Sequence, residues 1–244
     1  MIEQLVVNGC SYMDSYAFGG GHLDLAEQLD IRTPAGAVNA VSLAIGGSAN
    51  SRILRTVYKH SYNPGFGTLY VLGMTFLSRL EIPILDDRDP FEGRWTNPQN
   101  QVFQNRWIPQ WTTKDSDQFV ELKLKYEVDS ILDRTEDLMY RILAIIDSLK
   151  MRGHRVLVYQ QADDLYQEIL DNPRFNLLKN RPEIINGLNW RAVAWQHEQQ
   201  VQPMIYAPGH PYDVPPDMVH RAVGHHQKLN EFLTNYIKEH KILQ

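Results

Sequence analysis

A serine, a histidine and an aspartate stand where they could serve as a nucleophile, a general base and the acid that orients it. Ser11 lies four residues beyond Val7, at the end of the first apolar segment. Asp217 and His220 lie near the other end of the chain, three residues apart, so one helical turn can present both on the same side. Such side chains together perform nucleophilic attack on an acyl carbon. The fold must therefore join the two ends of the chain.

The elements expected to position these residues alternate between strands and helices. Four apolar segments rich in β-branched residues predict buried strands, at 2–7, 38–45, 68–73 and 155–159. Four segments with apolar residues at helical spacing predict helices, at 23–29, 48–60, 127–151 and 217–239. The first strand ends at Asn8-Gly9, a turn signal. This alternation predicts an α/β fold with a parallel sheet and helices on both of its faces.

The carboxyl ends of parallel strands meet at one edge of a sheet, where open α/β folds bind their ligands. Ser11 follows the first predicted strand, Gly46 and Gly47 follow the second, and Thr75 follows the third. The last predicted helix begins close to the aspartate and histidine. We therefore expect a nucleophile, oxyanion donors, a base and its orienting group at this one edge, as hydrolysis requires.

Three of these segments resemble the conserved blocks of the SGNH, or GDSL-like, esterase and lipase superfamily. Gly9-Cys10-Ser11-Tyr12 is similar to its first block, SLAIGGSAN at 42–50 to its second, and Asp217-Met218-Val219-His220 to its last. The blocks occur in the family's order and span nearly the whole chain. The resemblance implies a three-layer α/β/α sandwich with a mainly parallel, flavodoxin-like sheet, and we predict one such domain over residues 1–244.

The resemblance also implies a mechanism. A Ser-His-Asp triad of Ser11, His220 and Asp217 would hydrolyse a small ester, with an O-acyl carbohydrate as one candidate substrate. The backbone N–H groups of Ser11 and Gly47, together with Thr75, would hold the oxyanion. We expect no metal and no organic cofactor.

The third block departs from the usual family pattern. Gly-x-Asn-Asp is usual there, whereas this chain has Gly73-Met74-Thr75-Phe76. The run GMTFLSRLE is similar to a less studied branch that has Thr or Ser in place of the Asn and an Arg-x-Glu soon after. Thr75 would then donate through its hydroxyl, or the oxyanion would have two backbone donors only, and removing one donor lowers the rate roughly 100- to 1000-fold. Arg221 also replaces the proline that usually follows the histidine. A catalytically silent binding or structural module is therefore the alternative.

Two further residues are candidates to support the site or contact the substrate. Asn50 opens the second predicted helix, so its side chain could face the carboxyl edge. Arg79 belongs to the Arg-x-Glu of the third block. For Arg79 we favour a scaffold role, paired with Glu81 or another acid, over contact with the substrate.

Other interpretations of the same residues stay open. Ser11 could cap the helix after the first strand. Cys10 could be the nucleophile, although strand alternation turns it to the other side. His210 could replace His220 as the base. The histidines and aspartates between 210 and 226 could instead bind a metal ion, which would make the protein a metal-dependent hydrolase, but their spacings fit no strict template.

Composition bears on partners and compartment. The 24 basic and 29 acidic residues give a net charge of -5. The sequence has no block of basic residues of the kind that is typical of nucleic-acid-binding proteins. A single cysteine excludes a disulfide within the chain. The first residues do not resemble a signal peptide, and no stretch approaches the roughly 20 apolar residues that span a membrane. We expect a soluble cytoplasmic protein whose partner is a small-molecule or carbohydrate ester.

Residues 84–125 break the alternation of strands and helices. The segment holds aromatic residues among Asp, Asn, Gln and Pro without a clear period, including Phe91, Trp95, Phe103, Trp107 and Trp111. An irregular segment of this length is typical of a lid, a cap or a binding loop. A surface excursion anchored to the core by its aromatics is the other interpretation. We predict an irregular, aromatic-rich insertion in the domain.

Overall fold

A computed structural model gives the fold of the protein. The residues that it describes are 2–9, 13, 21–44, 48–62, 67–75, 80–84, 102–106, 131–160, 172–185 and 223–244. The strands within these ranges are β1 Gln4–Asn8, β2 Ala40–Ser42, β3 Thr68–Met74, β4 Leu80–Ile84, β5 Val102–Arg106 and β6 Arg155–Gln160. The helices are α1 Gly21–Gln28, α2 Asn50–His60, α3 Ile131–Met151, α4 Asn176–Lys179 and α5 Val223–Glu239, with a 3₁₀ turn at Pro173–Phe175 before α4.

Four of these strands form one parallel sheet in the order β2-β1-β3-β6. In its register, Leu5 of β1 lies opposite both Ala40 of β2 and Leu69 of β3. This confirms the prediction of an α/β fold with a parallel sheet. From β1 the chain goes first to β2 on one side and then to β3 on the other side of β1. The strand order therefore reverses between β1 and β3, and ligand crevices form at such a reversal in open sheets.

Side chains of the central strands alternate between two apolar cores, one on each face of the sheet. Even-numbered residues such as Val6 and Leu72 pack against α2 and α3. Odd-numbered residues such as Leu5 and Val71 pack against α1 and α5. Every residue of β3 is buried, which explains why this strand appears as a continuous apolar run in the sequence.

The segment after α4 pairs with β6 on the side away from β3. The backbone N–H of Val158 donates to the carbonyl of Glu183 at 2.8 Å, and the N–H of Ile185 donates to the carbonyl of Val158 at 2.9 Å. The buried Glu183 forms ion pairs with Lys150 and Arg181. Burial alone raises the pKa of Glu183, but the hydrogen bond from Lys150 and the two nearby cations outweigh it, so the pKa is lowered.

A β-hairpin occupies part of the segment that was expected to be irregular. β4 and β5 pair antiparallel, with Leu80 opposite Arg106 and Ile84 opposite Val102. The structure therefore differs from the expectation for 84–125 at Val102–Arg106. This strand is hard to recognise in the sequence because only its first two residues are apolar. Among the helices that the structure describes, none has the length and apolarity needed to cross a membrane.

Candidate active site

The structure describes two of the residues predicted for the site, Asn50 and Thr75. Five others lie outside the described residues: Ser11, Gly47, Arg79, Asp217 and His220. The same holds for the alternatives Cys10 and His210. The predicted roles of all these residues stay predictions. What the structure does give is the edge of the sheet from which their segments leave.

At this edge, the carboxyl ends of four strands lie side by side. Val7 is opposite Ser42 of β2, and Asn8 is opposite Leu72 of β3. On the far side of β3, Met74 is opposite Gln160 of β6. The chain that leaves β1 toward the predicted nucleophile therefore starts between the ends of β2 and β3. We call this set of strand ends the carboxyl edge.

Asn50 binds the backbone of Thr75 with both ends of its side-chain amide. The N–H of Thr75 donates to Oδ1 of Asn50 at 2.7 Å, and Nδ2 of Asn50 donates to the carbonyl of Thr75 at 3.0 Å. Both residues are buried, and Thr75 exposes none of its surface. The first residue of α2 is thus joined to the residue that directly follows β3. Asn50 was predicted to support the site; its amide contacts Thr75, a residue predicted for the oxyanion hole, and the supporting role stays a prediction.

A second amide reaches the same carbonyl from β6. Nε2 of Gln160 donates to the carbonyl oxygen of Thr75 at 3.3 Å. The sequence analysis did not single out Gln160. The available signal was its position, since it is the polar residue that directly follows the apolar segment 155–159 and ends a strand at the carboxyl edge. The end of β3 is therefore held from a helix on one side and from a neighbouring strand on the other.

Asn8 forms a third amide contact at this edge. Its side chain is fully buried, and Nδ2 donates to the carbonyl of Ile53 at 2.9 Å and to Oγ1 of Thr56 at 2.5 Å. Among the described residues, Oδ1 of Asn8 has no hydrogen-bond partner. The sequence analysis treated Asn8 only as part of a turn signal. In the structure it continues the even-numbered face of β1 and fixes α2 to that strand.

A buried arginine fixes the chain on both sides of the predicted glycine donor. Nη1 of Arg52 donates to Oγ of Ser48 at 3.0 Å and to the carbonyl of Leu43 at 3.3 Å. Leu43 and Ser48 flank residues 44–47, which contain Gly46 and Gly47. The residue before α2, Ala49, makes no side-chain cap, so Arg52 and Asn50 are what tie the start of this helix to the sheet.

Two histidines with lowered pKa values, His60 and His154, lie at the amino end of the sheet, opposite the carboxyl edge. His60 ends α2, and its Nδ1 is 2.9 Å from the hydroxyl of Tyr70. His154 precedes β6, and its buried Nδ1 finds no hydrogen-bond partner in the part of the chain that the structure describes. Burial lowers the pKa of both histidines and raises the pKa of Tyr70 to about 12. These groups lie at the amino end of the sheet, away from the carboxyl edge, so we do not count them among the catalytic candidates.

Metal ligands do not come together in the part of the chain that the structure describes, which has no group of three or more His, Cys, Asp or Glu residues. The cluster proposed as a metal site, between 210 and 226, lies outside the described side chains. The hypothesis of a metal site in this cluster therefore stays a prediction from the sequence.

Comparison with known proteins adds little. No protein-family model matches the chain, and no curated protein matches it. Among solved structures, the chain is similar to one described as a "putative acylhydrolase" from Bacteroides fragilis NCTC 9343. The two share 13% sequence identity with a TM-score of 0.41, over 97% of this chain and 87% of that chain. At this identity and score the likeness decides neither the fold nor the activity.

Proposed function

We propose that the protein is a serine hydrolase of the SGNH type that cleaves a small ester, with an O-acyl carbohydrate as one candidate substrate. The observation that carries the proposal is the pair of hydrogen bonds between Asn50 and Thr75. These bonds join the second and third motif segments at the end of β3. The parallel strand order and the helices on both faces of the sheet support the three-layer, flavodoxin-like fold that the SGNH assignment requires.

Chain lengths support the convergence of the remaining residues on this point. Ser11 lies three residues beyond Asn8, and three residues span at most about 10 Å. Since neighbouring strands are about 4.8 Å apart, Ser11 can reach the end of β3. Gly47 precedes Asn50 by three residues, so the chain allows at most about 10 Å between them. Because Asn50 contacts Thr75, Gly47 can also reach the end of β3.

The chemistry proposed for these residues is acyl transfer to serine. His220 accepts the proton of the Ser11 hydroxyl while the serine oxygen attacks the ester carbonyl carbon. The tetrahedral intermediate collapses, and the alcohol leaves with the proton that His220 returns. Water, activated by the same histidine, then hydrolyses the acyl-enzyme. Asp217 orients His220 and stabilises its cationic form.

The backbone of Thr75 limits how this residue can contribute. Its N–H already donates to Asn50, and its carbonyl accepts from Asn50 and Gln160. A hydrogen bond from Thr75 to an oxyanion must therefore come from the side-chain hydroxyl. The N–H groups of Ser11 and Gly47 are the two backbone donors of the proposal.

One observation favours the second candidate function, a catalytically silent SGNH-fold module. Thr75 has no exposed surface, so a substrate can contact its hydroxyl only after the groups that cover it move. If they do not move, the hydrogen bonds from Asn50 and Gln160 serve the fold alone. The metal-dependent hydrolase is a weaker alternative, because no contact between described residues supports it.

The test is hydrolysis of p-nitrophenyl acetate and butyrate by the wild type, Ser11→Ala and His220→Ala, together with labelling by a fluorophosphonate. A serine hydrolase is labelled at Ser11, and each variant loses about 1000-fold or more of its kcat/KM. A wild type that is inert and unlabelled supports the silent module. Activity that a chelator abolishes, but that survives in Ser11→Ala, supports the metal-dependent enzyme.

A further inference from the structure

We propose that Asn50 and Gln160 are positioning residues that fix the Thr75 backbone so that its hydroxyl serves the oxyanion site. The inference rests on the proposed function and deepens it. Gln160, which receives a task here, lies outside the four segments that were compared with the blocks of the SGNH superfamily. The inference also states which chemical group of Thr75 takes part, namely the side chain and not the main chain.

The geometry of the contacts argues for positioning. The peptide N–H and the carbonyl of a residue point in different directions, so holding both fixes where its side chain projects. Asn50 holds both groups of Thr75, at 2.7 and 3.0 Å. Gln160 adds a second donor to the carbonyl at 3.3 Å. Thr75 is the first residue after the last paired position of β3, where the strand itself no longer fixes the backbone.

The chemistry of Asn50 is specific to a neutral amide. One end of its side chain must accept from an N–H, and the other must donate to a carbonyl. An ionised aspartate can accept from the N–H of Thr75, but it faces the carbonyl with a second acceptor. A protonated aspartate restores the donor. Asn50→Asp should therefore position Thr75 correctly at low pH and incorrectly at high pH.

The first experiment compares steady-state kinetics of the wild type, Asn50→Ala and Gln160→Ala on p-nitrophenyl butyrate. Thr234→Val is the control, because the buried Thr234 hydroxyl donates a part-buried 2.7 Å hydrogen bond to Gln28 on the other face of the sheet. We expect kcat to fall roughly 10- to 100-fold in Asn50→Ala and about 3-fold in Gln160→Ala, with KM changed less than about 3-fold. Thr234→Val should lose stability without a comparable loss of kcat.

The second experiment measures kcat of Asn50→Asp as a fraction of the wild-type value at each pH from 5 to 8. The expected ratio rises as the pH falls, because protonation of Asp restores the donor to the Thr75 carbonyl. A purely structural role does not produce this ratio once both proteins are shown by circular dichroism to be folded at every pH. Rescue at low pH therefore separates positioning from folding. Because the ionised carboxylate would also repel the oxyanion, the rescue supports positioning only together with the kcat loss of the uncharged Asn50→Ala.

The outcomes separate this inference from the proposed function. If the wild type is active and Ser11→Ala is not, but Asn50→Ala keeps a wild-type kcat or the Asn50→Asp ratio does not change with pH, the positioning role is wrong and the proposed function stands. If the wild type is no more active than Ser11→Ala, both are wrong. A kcat loss in Asn50→Ala with a pH-dependent Asn50→Asp ratio supports both.

Discussion

Substitution of Asn8 by aspartate tests the contact between β1 and α2 beneath the candidate site. The Asn8 side chain is fully buried, and its Nδ2 faces the carbonyl of Ile53 at 2.9 Å and Oγ1 of Thr56 at 2.5 Å. Thr56 already donates its hydroxyl hydrogen to the same carbonyl at 3.1 Å. In Asn8→Asp an ionised oxygen therefore faces the Ile53 carbonyl, which is an acceptor, and the Thr56 hydroxyl, which can donate to it only by giving up its bond to that carbonyl. Among the described residues, the variant thus buries a charge whose one facing donor is already used.

The expected magnitude follows from this arrangement. Breaking a buried charged pair, which likewise leaves a buried charge uncompensated, costs about 3–5 kcal/mol of folding free energy, and we expect a loss of that size at pH 7.5. The folded-state pKa of the new carboxyl is raised above its unfolded value of about 3.9. A group whose folded pKa is raised loses stability as the pH rises, here by up to about 1.4 kcal/mol per pH unit above the unfolded pKa. Near pH 4 the protonated acid donates to the Ile53 carbonyl, and most of the loss disappears.

The assay is urea denaturation followed by far-UV circular dichroism at pH 4.5, 6 and 7.5, with the wild type measured at each pH. Asn8→Leu is the control, because it has similar size and no charge. It loses two hydrogen bonds, about 1–3 kcal/mol, partly offset by removal of the unpartnered Oδ1, and its difference from the wild type should not depend on pH. An Asn8→Asp protein that stays within about 1 kcal/mol of the wild type at pH 7.5 would show that Asn8 is not enclosed between β1 and α2.

Two further predictions concern His154, at the amino end of the sheet, and Glu183, whose segment pairs with β6. Burial lowers the folded-state pKa of His154, so the unfolded chain takes up a proton first as the pH falls below about 6.5, and stability is lost there. His154→Phe should therefore flatten the fall in urea midpoint between pH 6.5 and 5, and an unchanged slope would contradict the shifted pKa. Lys150→Met leaves the Glu183 carboxylate buried, with Arg181 as its remaining cationic partner at 3.5 Å. We expect a loss of about 2 kcal/mol, below the range for a fully buried pair because the Lys150 side chain is about half exposed, and recovery in Lys150→Met/Glu183→Gln. If the double variant is as unstable as the single one, the carboxylate is not the cause.

The parts of the fold that could be predicted are those with a strong apolar signal. Parallel strands buried on both faces are continuous apolar runs, so 68–73 predicted β3 to within one residue. β2 is shorter than its apolar segment at 38–45, since only Ala40–Ser42 pairs with β1. The strand Val102–Arg106 was missed because its sequence is mostly polar.

The polar contacts of the site were harder to predict, for a different reason. Asn50 could be suspected from its place at the start of a helix at the carboxyl edge. Gln160 and Asn8 could not be assigned partners, because their contacts depend on which strand lies beside which, and a single sequence does not give the strand order. Gln160 reaches Thr75 only because β6 pairs with β3, 85 residues away along the chain.

The chemical type of these residues bears on the proposed reaction. Asn8, Asn50 and Gln160 are neutral amides, and each holds a backbone carbonyl: Asn8 that of Ile53, and Asn50 and Gln160 that of Thr75 at the carboxyl edge. Carboxylates in their places would repel a developing oxyanion. Amides fix the same geometry without adding charge. An edge built in this way suits a reaction whose transition state carries a negative charge, and it explains why an Asn→Asp change, isosteric in shape, is the most informative perturbation at this site.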